Sequence, residues 1–576
     1  MPKLSELNIK TLLLIAIPLL NLLFMHYFFY FRGFLEWTWM YSEVINLCGV
    51  VFDVSILMIV FLLVTGGRFK ITMAIIQVIT LLWSFVNVMY GKFFFQYMSL
   101  SAFGEAHGLG DGLVVNSILS AFYWFDLFYV FSIVLFAVAY NKTESFRISK
   151  ERMLRFFLIP IGSIILTFVA YSGYHFIHPH YRNNWDLYKF RAREFLFDSV
   201  RGGTPNLAHF QTGCVRVAIF ELYDMLHVTK LTKEQKKQIK EYYSDHSMRS
   251  TNHRRNPRIK NVVFILLESF LSAPIDLKIE GKEITPFLNY LKRDSDVYYN
   301  GNMISDIGCG ESGDGQFIYM TGLLPLRYKM TVGQVKNNVL PSLPKIFKEC
   351  IGIKNTEIIY PTMPNLWQQA DMNTAYGIDY AYSLNDIVGD DEINIDDKNI
   401  FDFASQSLDK SKTPFFSLIL SVSTHSPYDK YAGDNLEITD QTLSSEYKNY
   451  LYSCHYLDKQ LEQYISMLKQ KGLYTNTLIV IASDHYAHLD MLKMTGRISN
   501  HTPLFVINGG INIEECWKGD FHQLDLYTTI LDLLSIKNPW LGLGYTLLKT
   551  PYKSSVDNNA LTLSSLIVEG DYFFSN

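Results

Sequence analysis

Hydrophobic and polar positions divide the chain at about residue 175. Before it, Leu, Ile, Val and Phe dominate; after it, the mixture is that of a soluble domain. Five apolar stretches lie in the first part, near 11–31, 44–65, 71–90, 114–139 and 153–174. Each is long enough for a hydrocarbon layer of about 30 Å, which takes about 20 helical residues. The pattern predicts five membrane helices. The first is too long for a signal sequence and has no small-residue cleavage site after it, so it is expected to be retained.

From about residue 259 the pattern becomes strand, loop and helix in repetition. Short β-rich runs occur at 261–267, 355–360, 415–423, 477–482 and 503–507. Runs of this length between polar turns suit strands buried on both faces. Between them, Tyr447, Leu451, Cys454, Leu457, Leu461, Ile465 and Leu468 recur at helical spacing, and Gly472 follows as a C-terminal stop. Such alternation predicts a mainly parallel sheet flanked by helices. The expected organisation is a membrane domain over 1–175, a polar linker over 176–258 and an α/β domain over 259–576.

Charge orients the membrane part. Lys3 and Lys10 precede the first span, Arg68 and Lys70 separate the second and third, and Lys142, Arg147, Lys150, Arg152 and Arg155 separate the fourth and fifth. The alternate connections carry only Arg32, with Glu36 and Glu43, and Lys92, with Glu105 and Asp111. Lys and Arg collect on the cytoplasmic side, so the N-terminus is expected in the cytoplasm and the α/β domain outside it. Asp53 and Asp126 fall within apolar spans, where a central Asp costs roughly 2.5–3.5 kcal/mol on insertion scales. Two readings stay open: a polar path for lipid headgroups, or hydrogen bonding between helices and placement near an interface. The connection 91–113, with Phe93, Phe94 and Phe95, is expected along the outer membrane surface.

The net charge of −4, with no basic blocks, argues against nucleic-acid binding. Six cysteines without metal-knuckle spacing, five of them after the membrane part, predict no disulfide scaffold.

In parallel sheets ligands bind beyond the carboxyl ends of the strands. Glu268 ends the first β-rich run, and Asp484 and His485 end the fourth. Gly308-Cys309-Gly310-Glu311-Ser312-Gly313-Asp314-Gly315-Gln316 is a glycine-rich turn before an apolar helical pattern. A Glu, an Asp and a His suit one divalent cation. A hydroxyl beside that cation would lose its proton more readily and act as a nucleophile. Singly, each residue also suits a cap, a solvated charge or a plain turn; together they point to one site.

The chain resembles the lipoteichoic acid synthase and phosphoglycerol transferase family, within the alkaline phosphatase and sulfatase-like superfamily. The resemblance rests on the five spans and on Asn261–Phe270, Ser312–Phe317, Thr424–Tyr428, Tyr456–Asp458, Ser483–Tyr486 and Asp525–Leu534. It implies an α-helical five-span membrane domain joined to an alkaline phosphatase-like α/β extracytoplasmic domain in a bacterial inner membrane. Glu268, Asp484, His485 and Ser312 would bind one divalent ion, manganese first, with magnesium or zinc as alternatives. Ser312 would be the nucleophile, and His425, Trp367 and Asp314 would contact the substrate.

Two departures stand out: Ser312 where the family generally has Thr, and Tyr360-Pro-Thr-Met-Pro-Asn-Leu-Trp367-Gln-Gln where it often has a His-Gly-Asp segment and an Arg. The hydroxyl chemistry is kept; the headgroup preference is left open.

The expected activity is transfer of glycerol phosphate from a membrane phospholipid, phosphatidylglycerol, to a glycan, glycolipid or polymer hydroxyl through a covalent Ser312 intermediate. The alternative is phosphoethanolamine transfer to lipid A or an envelope glycan. Neither the Pro nor the Arg of a sulfatase nucleophile motif follows Ser312, which argues against sulfatase activity. His501 is expected to be an ordinary loop histidine.

Overall fold

Helix-length apolar runs need neighbours of their own kind or lipid around them, whereas short β-rich runs need a sheet; the computed structural model divides accordingly. It describes residues 9–31, 40–94, 97, 98, 100, 122–177 and, with interruptions of which 488–498 is the longest, 209–574. Among these, residues up to 226 form one unit and those from 230 on, Arg327 aside, form a second. The connection at 101–113, the start of the expected fourth span at 114–121 and the part of the expected linker at 178–208 lie outside the described residues.

The first unit contains α1 (Ile9–Phe31), α2 (Met40–Val64), α3 (Phe69–Phe94), α4 (Leu127–Lys142) and α5 (Leu158–Ile177). Five stretches, 9–31, 43–64, 69–92, 124–142 and 150–173, are long and apolar enough to cross a membrane. A sixth helix, α6 (Cys214–Leu226), belongs to the same unit.

Polar side chains inside this bundle bond to one another, because an apolar medium offers them no other partner. Asn21 Nδ2 donates to Gln77 Oε1 at 3.1 Å, Gln77 Nε2 to Ser132 Oγ at 3.1 Å, and Ser132 Oγ to Asn21 Oδ1 at 2.6 Å. The ring ties α1, α3 and α4 together. Asp126 pairs with Lys92 at 2.6 Å, and Asp53 accepts from the first amides of α6. Both intramembrane carboxylates are thus engaged in bonds within the protein, as the second of the two readings has it.

The second unit is built on β1 (Asn261–Leu267), β4 (Val297–Ile304), β5 (Asn355–Ile359), β6 (Tyr380–Tyr382), β7 (Phe415–Leu420), β8 (Thr477–Ser483), β9 (Thr502–Ile507) and β10 (Phe521–His522). A separate hairpin pairs β2 (Lys278–Ile279) with β3 (Lys282–Glu283). The large sheet runs β10-β4-β9-β8-β1-β7-β5-β6. β1 lies in parallel between β7 and β8, with Leu266 opposite both Leu420 and Ala482. Every residue of β1, β8 and β9 is buried, as strands covered on both faces require.

The sheet is alkaline phosphatase-like and mixed: β9 runs antiparallel to both β8 and β4. β4 therefore points the same way as β8 and β1. The loops after β1, β4, β5, β7 and β8 all leave from one edge.

Four further helices matter below: α7 (Pro286–Arg293), α8 (Glu311–Thr321), α9 (Ser445–Gln470) and α10 (Leu524–Leu533). α9 begins where Ser444 Oγ accepts the Tyr447 amide at 3.2 Å and is stopped by Gly472 at φ +65°. Among the described residues, Cys48, Cys214, Cys350, Cys454 and Cys516 are free thiols; Cys309 lies outside them.

Candidate metal centre

Parallel pairing of β1 with β8 sets Leu267 opposite Ser483, so the next residues, Glu268 and Asp484, emerge together. Backbone bonds lock the junction. Ser269 N donates to Asp484 Oδ1 at 2.9 Å, Phe270 N to Ser483 Oγ at 2.8 Å, and Glu268 N to Ser421 Oγ at 2.9 Å. The Thr424 hydroxyl, on the loop after β7, donates to the Glu268 carbonyl.

α8 brings the hydroxyl. It starts after the turn at Gly308 and Gly310, whose amides donate to Asp314 Oδ2 at 2.8 and 2.9 Å. Ser312 Oγ then lies 3.2 Å from Glu268 Oε2 and 3.2 Å from His485 Nε2. Glu268, Asp484 and His485 offer ligand atoms all within 4.8 Å of one another. The residues expected to form the site thus converge from three separate parts of the chain.

The electrostatics follow from burial and crowding. Burial, and then the Glu268 charge, push the Asp484 carboxyl up to about 7. Burial opposes the charged form of His485, yet Asp484, Glu268 and Glu311 outweigh it and raise the imidazole to about 9. His485 Nδ1 lies 2.9 Å from the Tyr486 carbonyl, so Nδ1 carries a hydrogen and donates. In the neutral ring Nε2 then presents a lone pair to the cluster. Two carboxylates, that lone pair and an adjacent hydroxyl fit one divalent cation in donor type and in charge.

The other expected site residues lie around this group. His425 follows Thr424, and its Nδ1 lies 2.6 Å from the Ser426 carbonyl. Trp367, half-buried, sits in the turn Leu366–Gln368 after β5. The helix that follows this turn is tied to α8, since Gln316 Nε2 donates to Gln369 Oε1 at 3.2 Å. Asp314 is fully buried, with its carboxylate taken up by the glycine turn rather than by the cation-binding group. His501 lies on another loop, where its Nε2 is 3.8 Å from Asp520 Oδ1.

Sequence reasoning passed over Glu311. It is buried, with Oε2 3.7 Å from His485 Nδ1, and adds a third carboxylate beside the imidazole. The only signal was its place next to Ser312; the side-chain direction of a left-handed residue, as Glu311 is, is not readable from sequence. It also passed over Gln523, whose Nε2 donates to the Asp484 carbonyl at 2.6 Å and whose Oε1 accepts the Asp306 amide at 2.7 Å.

Strain concentrates here. Ser269, Glu311, Trp367, Gln368 and Tyr428 all have φ between 43° and 66°, and all lie on the loops that leave the same sheet edge. Each such residue costs of order 1–3 kcal/mol and persists only where its surroundings hold it.

A unit with five candidate membrane spans, joined to an alkaline phosphatase-like domain with a Glu, Asp and His cluster beside a half-buried Ser, defines a class of membrane-anchored, sulfatase-like proteins. The lipoteichoic acid synthase N-terminal domain family matches residues 1–179, and the sulfatase family matches 260–536. The chain belongs to the lipoteichoic acid synthase and phosphoglycerol transferase family of the alkaline phosphatase and sulfatase-like superfamily.

It is similar to lipoteichoic acid synthase 2 of Bacillus subtilis, at 32% identity over 48% of this chain and 45% of that protein. It is also similar to lipoteichoic acid synthase of Staphylococcus aureus (strain USA300), at 26% identity over 78% of this chain and 70% of that one. The match thus spans about half the length of the first relative and 70% of the second. Among solved structures, lipooligosaccharide phosphoethanolamine transferase A of Neisseria meningitidis shares the fold. Its TM-score is 0.56 at 14% identity, over 92% of this chain and 97% of that one.

Proposed function

We propose that this chain is a metal-dependent phosphotransferase that moves glycerol phosphate from phosphatidylglycerol to a hydroxyl of a glycan, glycolipid or growing polymer. One observation carries the reading: the Ser312 hydroxyl stands 3.2 Å from both Glu268 and His485 in a buried cluster. The names of the relatives, lipoteichoic acid synthases, support the same product class. The Lys and Arg bias of the connections supports a catalytic unit on the outer face of a bacterial inner membrane, where no nucleotide is needed.

In this reading Ser312 Oγ attacks the phosphorus of the lipid, diacylglycerol leaves, and a phosphoglyceryl ester of Ser312 remains. The Ser312 proton passes to Glu268 Oε2, which accepts its hydrogen bond, and on to the departing diacylglycerol oxygen. The acceptor hydroxyl then attacks the same phosphorus, and its proton returns by the same carboxylate to Ser312 Oγ as Ser312 is released. Glu268, Asp484, His485 and Ser312 would hold one divalent ion, manganese first; such an ion supplies charge stabilisation for the phosphoryl oxygens and lowers the pKa of the hydroxyl. His425, Trp367 and Asp314 are proposed to serve the substrate side, with Asp314 acting through the glycine turn that it holds.

The test is turnover of labelled phosphatidylglycerol by the full-length protein in vesicles. Ser312→Ala is expected to abolish diacylglycerol release with folding unchanged, and retained release would sink the assignment. Parallel assays with labelled phosphatidylethanolamine separate the phosphoethanolamine alternative, which predicts the reverse lipid preference.

A further inference from the structure

Residues 209, 210 and 213–226 come after the five spans, in the region expected to be a polar linker, yet they pack within the membrane unit. Asp53 is fully buried and is the eleventh residue of the apolar stretch 43–64 (53 − 43 + 1), near the middle of a membrane crossing. Its two oxygens accept the Cys214 amide at 2.6 Å and the Val215 amide at 2.9 Å. These are the first amides of α6, which have no partner inside the helix.

The approach is close enough to require a glycine. Gly213 has φ +85°, and a Cβ there would lie 2.6 Å from Asp53 Oδ1 and 2.8 Å from the Gly49 carbonyl. Just before it, His209 stacks on Tyr97 at 4.7 Å, and Phe210 meets His26 of α1 edge-on at 5.9 Å.

α6 turns a carboxylate inward, beside the buried Val217, and aliphatic and aromatic side chains outward, unlike a helix in water. Glu221 is turned inward, 8% exposed, and accepts the Leu100 amide at 2.7 Å. Ile219, Leu222 and Tyr223, three and four positions apart on one face, are 55%, 51% and 56% exposed. A water-facing helix puts its carboxylates out and its aliphatic side chains in. Polar groups inside and apolar groups outside belong to a helix whose solvent is lipid, where a buried carboxylate is retained only with its hydrogen bonds made.

We propose that α6 is a re-entrant membrane helix. Asp53 clamps its first turn at mid-bilayer depth, and its Ile219, Leu222 and Tyr223 face packs against phospholipid acyl chains. The occupant of that face is lipid rather than a protein partner, because the face is continuous in character with the exposed apolar residues of the five spans, such as Leu47, Val60 and Ile71. The chain thus holds the membrane through six helices, the sixth after the last crossing.

The test uses the full-length protein in phosphatidylglycerol vesicles, with a photoreactive benzophenone amino acid replacing Ile219, Leu222 or Tyr223 in turn. Lys237, exposed on the helix Lys233–Tyr243, is the reference position. The expected result is several-fold more phospholipid adduct at each of the three positions than at Lys237. Equal yields, or adducts to a protein in place of lipid, would overturn the proposal. These substitutions lie on an exposed face and leave the clamp intact. In the Tyr223 benzophenone protein, Asp53→Ala is expected to lose most of the lipid adduct while Asp53→Asn, which keeps one acceptor, retains more. Full adduct in the properly assembled Asp53→Ala protein would overturn the clamp.

Discussion

Gly315 and Asp484 meet backbone to backbone: a Cβ on Gly315 would lie 2.4 Å from the Asp484 carbonyl oxygen. That contact fixes how near α8 comes to the end of β8, and with it how near Ser312 comes to the metal centre. Tyr319, one turn further along the same face of α8, donates to the Ser483 carbonyl at 2.6 Å and holds the same junction.

Gly315→Ala is therefore expected to push α8 off β8. Overpacking of this kind costs about 1–3 kcal/mol, and the displacement falls on Ser312 rather than on the distant core. Turnover should drop roughly tenfold or more, since that range spans about a factor of five to a hundred and fifty. Thermal stability should fall by only a few degrees. Assays beside a thermal melt check it; unchanged turnover would contradict the contact.

Asp458, an acid in the middle of α9, serves structure rather than chemistry. Its two oxygens accept the Phe287 and Leu288 amides, each at 2.8 Å, capping α7 from another helix. Asp458→Ala leaves two buried donors unsatisfied and should cost about 2–4 kcal/mol. Asp458→Asn keeps one acceptor and should cost less. Denaturant midpoints of the two variants decide it, and metal affinity should be the same in both.

The raised groups at the centre make metal uptake pH-dependent. With Asp484 pushed to about 7 and His485 to about 9 in the metal-free site, both groups carry protons that a divalent ion must displace. Affinity should then rise with pH from 6 towards 9 and flatten above, changing by up to about tenfold per pH unit for each proton released. For folding without metal both groups act in the same sense, each costing stability as pH rises. The raised Asp484 lowers stability as pH rises from about 4 to 7, and the raised His485 gives stability that is full below about 6.5 and lost as pH rises through about 9. Titration calorimetry in buffers of different ionisation enthalpy counts the protons; a pH-independent affinity would refute the assignment.

Much of this was legible in the sequence for physical reasons. The five β-rich runs became β1, β5, β7, β8 and β9; β1, β7, β8 and β9 are mainly apolar, as strands buried on both faces require, while β5 also buries Thr356 and Glu357. β4 was passed over since Val297–Ile304 carries Asn300, Gly301 and Asn302 among its apolar residues. The reversed direction of β9 was not readable, because an apolar run has no arrow. Glu268, Ser312, Asp484 and His485 were legible as strand-end and turn residues. Glu311 and Gln523 were not, because what they do depends on which side chains face them. The Asp53 clamp was hidden for the same reason, since its partners lie 161 and 162 residues away in sequence.

The most direct measurement of the central claim is peptide mass mapping of the full-length protein after brief incubation with manganese and phosphatidylglycerol, without acceptor. A glycerol phosphate adduct on the peptide containing Ser312, absent from Ser312→Ala and lost when an acceptor glycolipid is added, is the predicted result. Active turnover with that peptide unmodified, or an adduct on another residue, would contradict it.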